Sequence, residues 1–155
     1  MVCAESNQDD LALFYSAFLT EVMSECTITK TTSCEELLQL IEVEAKADTV
    51  PMGFDIFIVG DKFSEGAMQS REMIAKLDAM RSEIGPEAMH VLVVALDSAY
   101  SPQHEEELAA IGADLVWPKL ELLSTMQMTE SLLAAIARRC RMDSARVIPS
   151  APPGF

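Results

Sequence analysis

Residues 54–60, FDIFIVG, form a short and almost uninterrupted apolar run in the middle of the chain. A second run of the same kind, HVLVVAL, lies at residues 90–96. Strands that are buried on both faces of a parallel sheet have this composition, whereas strands with one solvent-facing side alternate between apolar and polar residues. Both runs therefore predict central strands of a parallel sheet.

The segments around these two runs alternate between helical and extended patterns. Apolar residues recur every three or four positions, which predicts helices over 9–25, 33–46, 67–85, 103–112 and 122–142. Short β-branched or apolar stretches predict further strands over 2–4, 26–32 and 113–117. In the second of the predicted helices, Ser33 stands three residues before Glu36, which is the spacing of a capping box at a helix start.

Strands and helices thus alternate along the chain, five of each. Parallel strands need crossover helices, and the handedness of these connections places helices on both faces of one sheet. The predicted fold class is α/β, a single doubly wound five-stranded parallel sheet. We expect one domain over residues 1–140 and a flexible tail rich in proline and serine over residues 141–155.

Composition and charge exclude several classes of function. The 155 residues carry 25 acidic against 11 basic side chains, a net charge of −14, which repels phosphate backbones and argues against nucleic-acid binding. No apolar run approaches the about 20 residues that a membrane span needs, and the acidic start MVCAESNQDD does not resemble a signal peptide. The four cysteines show no metal-ligand spacing, and His90 and His104 have no nucleophile motif beside them. We therefore expect a cytoplasmic protein that binds neither nucleic acid nor membrane.

Function is expected at the carboxyl ends of the strands, where doubly wound sheets bind their ligands. Polar residues follow four of the five predicted strands, namely Glu5-Ser6-Asn7, Gly60-Asp61-Lys62, Asp97-Ser98 and Pro118-Lys119. Because these ends meet at one edge of a parallel sheet, the carboxylates, the hydroxyl and the lysine are candidates for a common site.

This arrangement resembles the receiver domain of two-component response regulators over about residues 1–139. The resemblance is carried by AESNQDDLALF at residues 4–14, FDIFIVGD at 54–61 and IGADLVWPK at 111–119. It implies a flavodoxin-like, CheY-like fold with the strand order 2-1-3-4-5. It also implies a signalling module that is not an enzyme, whose partner is a histidine kinase, a phosphotransfer protein or another signalling protein.

The same resemblance implies roles for individual residues. Asp61 is the candidate phosphoacceptor, while Lys119 and Ser98 would contact the phosphoryl oxygens. Glu5 and Asp61 would bind Mg²⁺, and this binding should be weak because the family has a second acid after the first strand where this chain has Ser6.

The alignment at two strand ends is ambiguous by one residue. Without a gap, Gly60 falls at the phosphoacceptor position and Asp97 at the hydroxyl position. Extending each strand by one residue would instead place Asp61 and Ser98 there.

Three hypotheses follow. The first is a receiver-like signalling module with a degraded phosphorylation site that acts through protein interaction. The second is an active receiver in which Asp61 is phosphorylated with Mg²⁺ bound. The third is a flavodoxin-like protein that binds a small ligand, and it is the weakest because the acidic segment after the first strand contains no glycine-rich phosphate loop.

Overall fold

The computed structural model describes residues 1–6, 28–47, 51–119 and 125–147. Within them, five parallel strands form one sheet in the order β2-β1-β3-β4-β5, which confirms the predicted fold class and strand order. The strands are β1 (Val2–Ala4), β2 (Thr29–Thr31), β3 (Ile56–Val59), β4 (Leu92–Asp97) and β5 (Leu115–Pro118). Strand β4 ends at Asp97, one residue beyond the predicted run at 90–96.

Four helices are described: α1 (Cys34–Ala47), α2 (Ser70–Ile84), α3 (Pro102–Ala110) and α4 (Thr125–Val147). A 3₁₀ turn over Pro86–Ala88, which the sequence patterns did not predict, follows α2. The helix predicted over 9–25 lies outside the described residues. Across those residues, no helix combines the length and the apolar composition that a membrane crossing requires.

Side-chain caps explain where two of the helices begin. The Ser33 hydroxyl accepts a hydrogen bond from the Glu36 amide at 3.1 Å, which is the first bond of the predicted capping box. The Glu36 carboxylate accepts from the Thr32 amide at 3.2 Å, so the second bond goes to the residue before the cap. Helix α3 begins with Pro102, and the hydroxyl of Ser101 caps it by accepting from the His104 amide at 3.1 Å.

Helix α4 ends later than predicted. It continues past Met142 to Val147, so the first residues of the segment predicted as a tail are helical. The segment contains no glycine or proline before Pro149, and nothing in the backbone chemistry of 143–147 stops a helix. Residues 148–155 lie outside the described part of the chain.

The sheet is buried on both faces, as the two apolar runs predicted. Val2, Phe57 and Val93 belong to one core cluster, which packs against α1 and α2. Ile58 and Val94 belong to a second cluster, which packs against α4. Successive residues of a strand point to opposite faces of the sheet. A strand that packs against a core on each face is therefore apolar at every position.

A buried ionic cluster joins α2, α4 and the loop before β5, near the amino ends of β4 and β5. Arg81, with 2% of its side chain exposed, donates to Asp114 at 2.5 Å, to Asp78 at 2.8 Å and to two backbone carbonyls. Arg139 reaches the other oxygen of Asp114 at 3.2 Å. This cluster fixes the helices at the end of the sheet opposite the candidate site.

Candidate functional site

The four site residues predicted from the sequence lie together at the carboxyl edge of the sheet. Glu5 follows β1, Asp61 follows β3 by two residues, Ser98 follows β4 and Lys119 follows β5. Adjacent strands are in register, with Ala4 opposite Val59 in the β1–β3 pair. The chain therefore brings the four side chains to one place, and contacts link all of them.

Lys119 is the centre of these contacts. Its ammonium lies 3.0 Å from Oε2 of Glu5 and 3.3 Å from Oδ1 of Asp61. Only 12% of the lysine side chain and 1% of the Glu5 side chain are exposed, so the ion pairs are shielded from water and screened little by salt. The Lys119 amide donates to the Asp97 carbonyl at 2.8 Å, which holds the backbone of Lys119 beside the end of β4.

Asp61 accepts hydrogen bonds through both carboxylate oxygens. Oδ2 accepts from the backbone amide of Ser98 at 2.8 Å and also from the Ser98 hydroxyl, while Oδ1 accepts from Lys119. Burial raises the pKa of Asp61, but the two hydrogen bonds from Ser98 and the charge of Lys119 outweigh it and lower the pKa below its usual value. The carboxylate is therefore ionised and held by three donors.

Glu5 occupies space that a side chain at position 60 would otherwise take. A Cβ built on Gly60 would lie 2.7 Å from Cδ of Glu5, and closer still to its Oε2. The Gly60 amide donates to the Ala4 carbonyl at 2.8 Å, which keeps the two backbones side by side. A side chain at position 60 would thus have to displace the buried Glu5 carboxylate. No pattern within either strand could have indicated this contact.

The carboxylate of Asp97 bonds to partners other than Asp61. Its carboxylate, in a residue only 2% exposed, accepts from the Ala99 amide at 3.0 Å and pairs with Nδ1 of His104 at 2.5 Å. Ser98, one residue later, makes the hydroxyl contact with Asp61.

His104 lies near the carboxyl end of β4, where it pairs with Asp97, and the sequence patterns did not predict this contact. Its Nε2 lies 3.1 Å from the guanidinium of Arg71, which can only donate, so Nε2 accepts and Nδ1 carries the proton that is donated to Asp97. Arg71 also pairs with Glu107 at 2.9 Å. The signal available in the sequence was Ser101, whose role as a helix cap places His104 in the first turn of α3, near the end of β4.

Ser6 has a backbone-bridging role and supplies no carboxylate. Its hydroxyl donates to the Lys62 carbonyl at 2.5 Å, which ties the segment after β1 to the segment after β3. The residue that stands where a second acid was expected is therefore used to hold two loops together.

The side chains at this edge fit a Mg²⁺ ion only in part. Mg²⁺ prefers octahedral oxygen coordination, usually through carboxylates and several waters. Glu5 and Asp61 offer two carboxylates, but both already pair with the Lys119 ammonium. The positive charge of this ammonium repels an incoming cation, which would have to displace it. In the described part of the chain, no group of three or more His, Cys, Asp or Glu side chains is placed to hold a metal ion.

Comparisons with known proteins place the fold. No protein-family profile matches the sequence, and no curated protein matches it either. Solved structures do match. The receiver domain of the histidine kinase CKI1 from Arabidopsis thaliana, solved in complex with Mg²⁺ and BeF₃⁻, is 13% identical with a TM-score of 0.65, and the match covers 88% of both chains.

Two further receiver domains give the same result. One from Clostridium thermocellum is 15% identical with a TM-score of 0.63, covering 91% of this chain and 96% of its own. A CheY-like receiver domain protein from Methanospirillum hungatei JF-1 is 11% identical with a TM-score of 0.63, covering 91% and 95%. Together with the strand order 2-1-3-4-5, these matches show that the chain has the flavodoxin-like fold of CheY-like response-regulator receiver domains.

Proposed function

We propose that the protein is a receiver-like signalling module of a two-component phosphorelay system, that its phosphorylation site is degraded, and that it acts by binding another signalling protein. The observation that carries the proposal is the cluster of Glu5, Asp61, Ser98 and Lys119 at the carboxyl edge of a receiver-type sheet. The cluster has the residue types of a phosphoryl-accepting site, but they are engaged with one another.

Three features support a degraded site. Phosphoryl transfer to a carboxylate needs a free oxygen as nucleophile and cations to neutralise the incoming charge. Both oxygens of Asp61 accept hydrogen bonds, and Lys119 divides its charge between two carboxylates. Ser6 provides a hydroxyl, already bonded to Lys62, where a carboxylate ligand for the metal would be needed.

The proposal includes the surroundings in which the protein works. A histidine kinase, a phosphotransfer protein or another signalling protein is the expected class of partner, and we place the protein in the cytoplasm with such partners. The strong net negative charge favours partners with basic surfaces over nucleic acid. We propose that the protein has no enzymatic activity of its own.

One observation favours the active receiver as the alternative. The pKa of Asp61 is lowered and its carboxylate lies 3.3 Å from the lysine ammonium, so an ionised aspartate does stand beside a cation and a hydroxyl. In that alternative Asp61 accepts the phosphoryl group with Mg²⁺ bound to Glu5 and Asp61.

Treatment with a small phosphodonor distinguishes the degraded-site proposal from the active-receiver alternative. The full chain is incubated with acetyl phosphate and Mg²⁺, and its intact mass is measured. We expect little or no added phosphate. A stoichiometric adduct that is lost in Asp61→Asn and much reduced in Lys119→Ala would overturn the degraded-site proposal and establish the active receiver.

A further inference from the structure

We propose that the cleft between α2, α3 and α4 binds a small organic anion, whose carboxylate or phosphate group pairs with Arg138 and whose apolar body lies against the cleft wall. The cleft lies near the amino ends of β4 and β5, at the edge of the sheet opposite Glu5, Asp61, Ser98 and Lys119. The inference therefore goes beyond the proposed function and does not depend on it.

The cleft has the size of a small-molecule site. Its volume is about 630 Å³, and pockets that bind small molecules enclose about 300–1,000 Å³. It is lined by the last turns of α2 and the turn that follows, by the end of α3 with the loop before β5, and by one side of α4. A molecule bound there would contact three helices at once.

The charged groups of the cleft include more cations than anions. Three arginines and two aspartates line it, in a chain whose net charge is −14. Asp114 pairs with Arg81 at 2.5 Å and with Arg139 at 3.2 Å, and Asp78 pairs with Arg81 at 2.8 Å. Arg81 and Arg139 therefore neutralise both aspartates, and the charge of the third arginine, Arg138, remains.

Arg138 is the cation that can pair with a bound anion. Its side chain is exposed and lines the cleft, and across the residues that the structure describes no ion pair or hydrogen bond engages its guanidinium. The next residue, Arg139, is held by Asp114 and by the Met89 carbonyl, which accepts from its Nε at 2.7 Å. A guanidinium donates two parallel hydrogen bonds to a carboxylate or a phosphate, so Arg138 can hold either group.

Arg81 shows that the cleft wall is also short of acceptors. A guanidinium has five N–H donors, and four of those of Arg81 are used by Asp78, Asp114 and the carbonyls of Val91 and Gly112. The fifth, on Nε, is buried and has no acceptor among the described residues. Buried donors in folded proteins almost always have a partner, either in the protein or in a bound molecule. An oxygen-bearing ligand would supply acceptors where the protein has too few.

The uncharged part of the wall favours a ligand with a compact apolar body. Ala109 and Ala135 have short side chains, which leave room between the helices, and Pro86 and Met89 add apolar surface. A bare inorganic ion would leave this surface in contact with water, whereas a ring or a short alkyl group would cover it. We therefore assign the ligand to the class of organic carboxylates and phosphate monoesters.

Titration with benzoate and with phenyl phosphate tests the site, because each joins an anionic group to a flat apolar ring. The two probes distinguish a carboxylate ligand from a phosphate ligand. Benzamide supplies the ring without the charge, and inorganic phosphate supplies the charge without the ring. Each compound is added to the ¹⁵N-labelled full chain at constant ionic strength, and the amide resonances are followed in ¹H–¹⁵N correlation spectra.

We expect saturable shifts with at least one of the two organic anions, confined to residues 78–89, 109–114 and 135–139. Benzamide and inorganic phosphate should bind about tenfold more weakly, since each lacks one half of the interaction. Absence of saturable shifts in these three segments would refute the site. Shifts confined to residues 98–101 and Lys119 would also refute it, because they would place the anion at the opposite edge of the sheet.

A pair of matched variants tests the role of Arg138. Arg138→Gln removes the charge of an exposed side chain and should weaken binding of the organic anion about tenfold. The control is Arg141→Gln, which removes an equally exposed charge one turn further along α4 that does not line the cleft, and this variant should bind as the wild type does. Equal weakening in both variants, or no weakening in Arg138→Gln, would overturn the assignment.

Discussion

Substituting Gly60 with alanine tests whether the buried Glu5 carboxylate really occupies the side-chain space of position 60. The added Cβ would lie 2.7 Å from Cδ of Glu5, well inside van der Waals contact. Glu5 is 1% exposed and paired with Lys119, so its carboxylate cannot move aside without losing that pair or the Lys119 geometry. We therefore expect Gly60→Ala to destabilise the fold.

The magnitude follows from two opposing effects. Overpacking a well-filled site costs about 1–3 kcal/mol. An alanine in place of glycine gains roughly 0.4–1 kcal/mol through the unfolded state where the backbone tolerates it, and among the described residues Gly60 is not one of the glycines with positive φ. The difference is a net loss of about 1.3 kcal/mol, which corresponds to a fall of about 4 °C in unfolding temperature for a chain of this size.

A double-mutant cycle with Glu5→Ala isolates the contact. Removing the glutamate side chain opens the space, so Gly60→Ala should then be neutral or stabilise by up to about 1 kcal/mol. The free energies of unfolding of all four proteins are measured by urea denaturation followed by circular dichroism. Equal destabilisation in both backgrounds, or no effect in the wild type, would refute the described packing of Glu5 against Gly60.

Three further predictions concern the core, the thiols and the metal. Arg81→Ala should cost about 3 kcal/mol in urea denaturation, because the nearly buried Asp114 carboxylate loses its shorter ion pair and keeps the longer one with Arg139. Arg71→Ala in an exposed ion pair should cost less than about 1 kcal/mol, and similar losses for both would contradict the buried cluster. Burial raises the pKa of Cys3 and of Cys34 to about 12, so iodoacetamide at neutral pH should label exposed Cys140 and spare these two in peptide mass spectra; equal labelling would count against their placement. Mg²⁺ titration by calorimetry should show binding weaker than micromolar, and tight saturable binding would contradict the account of the paired carboxylates.

The parts of the fold that follow from local pattern were predictable from the sequence. The runs at 54–60 and 90–96 predicted strands buried on both faces, because burial on two sides leaves no room for alternation. Likewise, the spacing of Ser33 and Glu36 predicted the start of α1. The end of α4 at Val147 lies beyond the predicted end at Met142, because no helix breaker stands before Pro149 and the proline-rich composition begins only there.

The candidate site was predictable in its residue types but not in its contacts. Strand ends of a parallel sheet meet at one edge, so Glu5, Asp61, Ser98 and Lys119 could be grouped from the sequence. Which of Asp97 and Ser98 faces Asp61 depends on one residue of strand length, and a one-residue change reverses the side to which every side chain points.

The pairing of Asp97 with His104 and the fit of Glu5 against Gly60 join residues from different elements. A periodic pattern within one element carries no information about such contacts between elements. They became visible only when β1 and β3, and β4 and α3, were placed beside each other in the structure.

The central claim is that Asp61 already occupies the donors that would otherwise respond to a phosphoryl group. The most direct test is a ¹H–¹⁵N correlation spectrum of the wild type with and without Mg²⁺ and BeF₃⁻, a mimic of the phosphoryl group. We predict that the amide resonances of residues 98–101 and of Lys119 stay where they are. Saturable shifts along residues 98–101 and into α3 would show that the site still accepts the mimic and would contradict the claim.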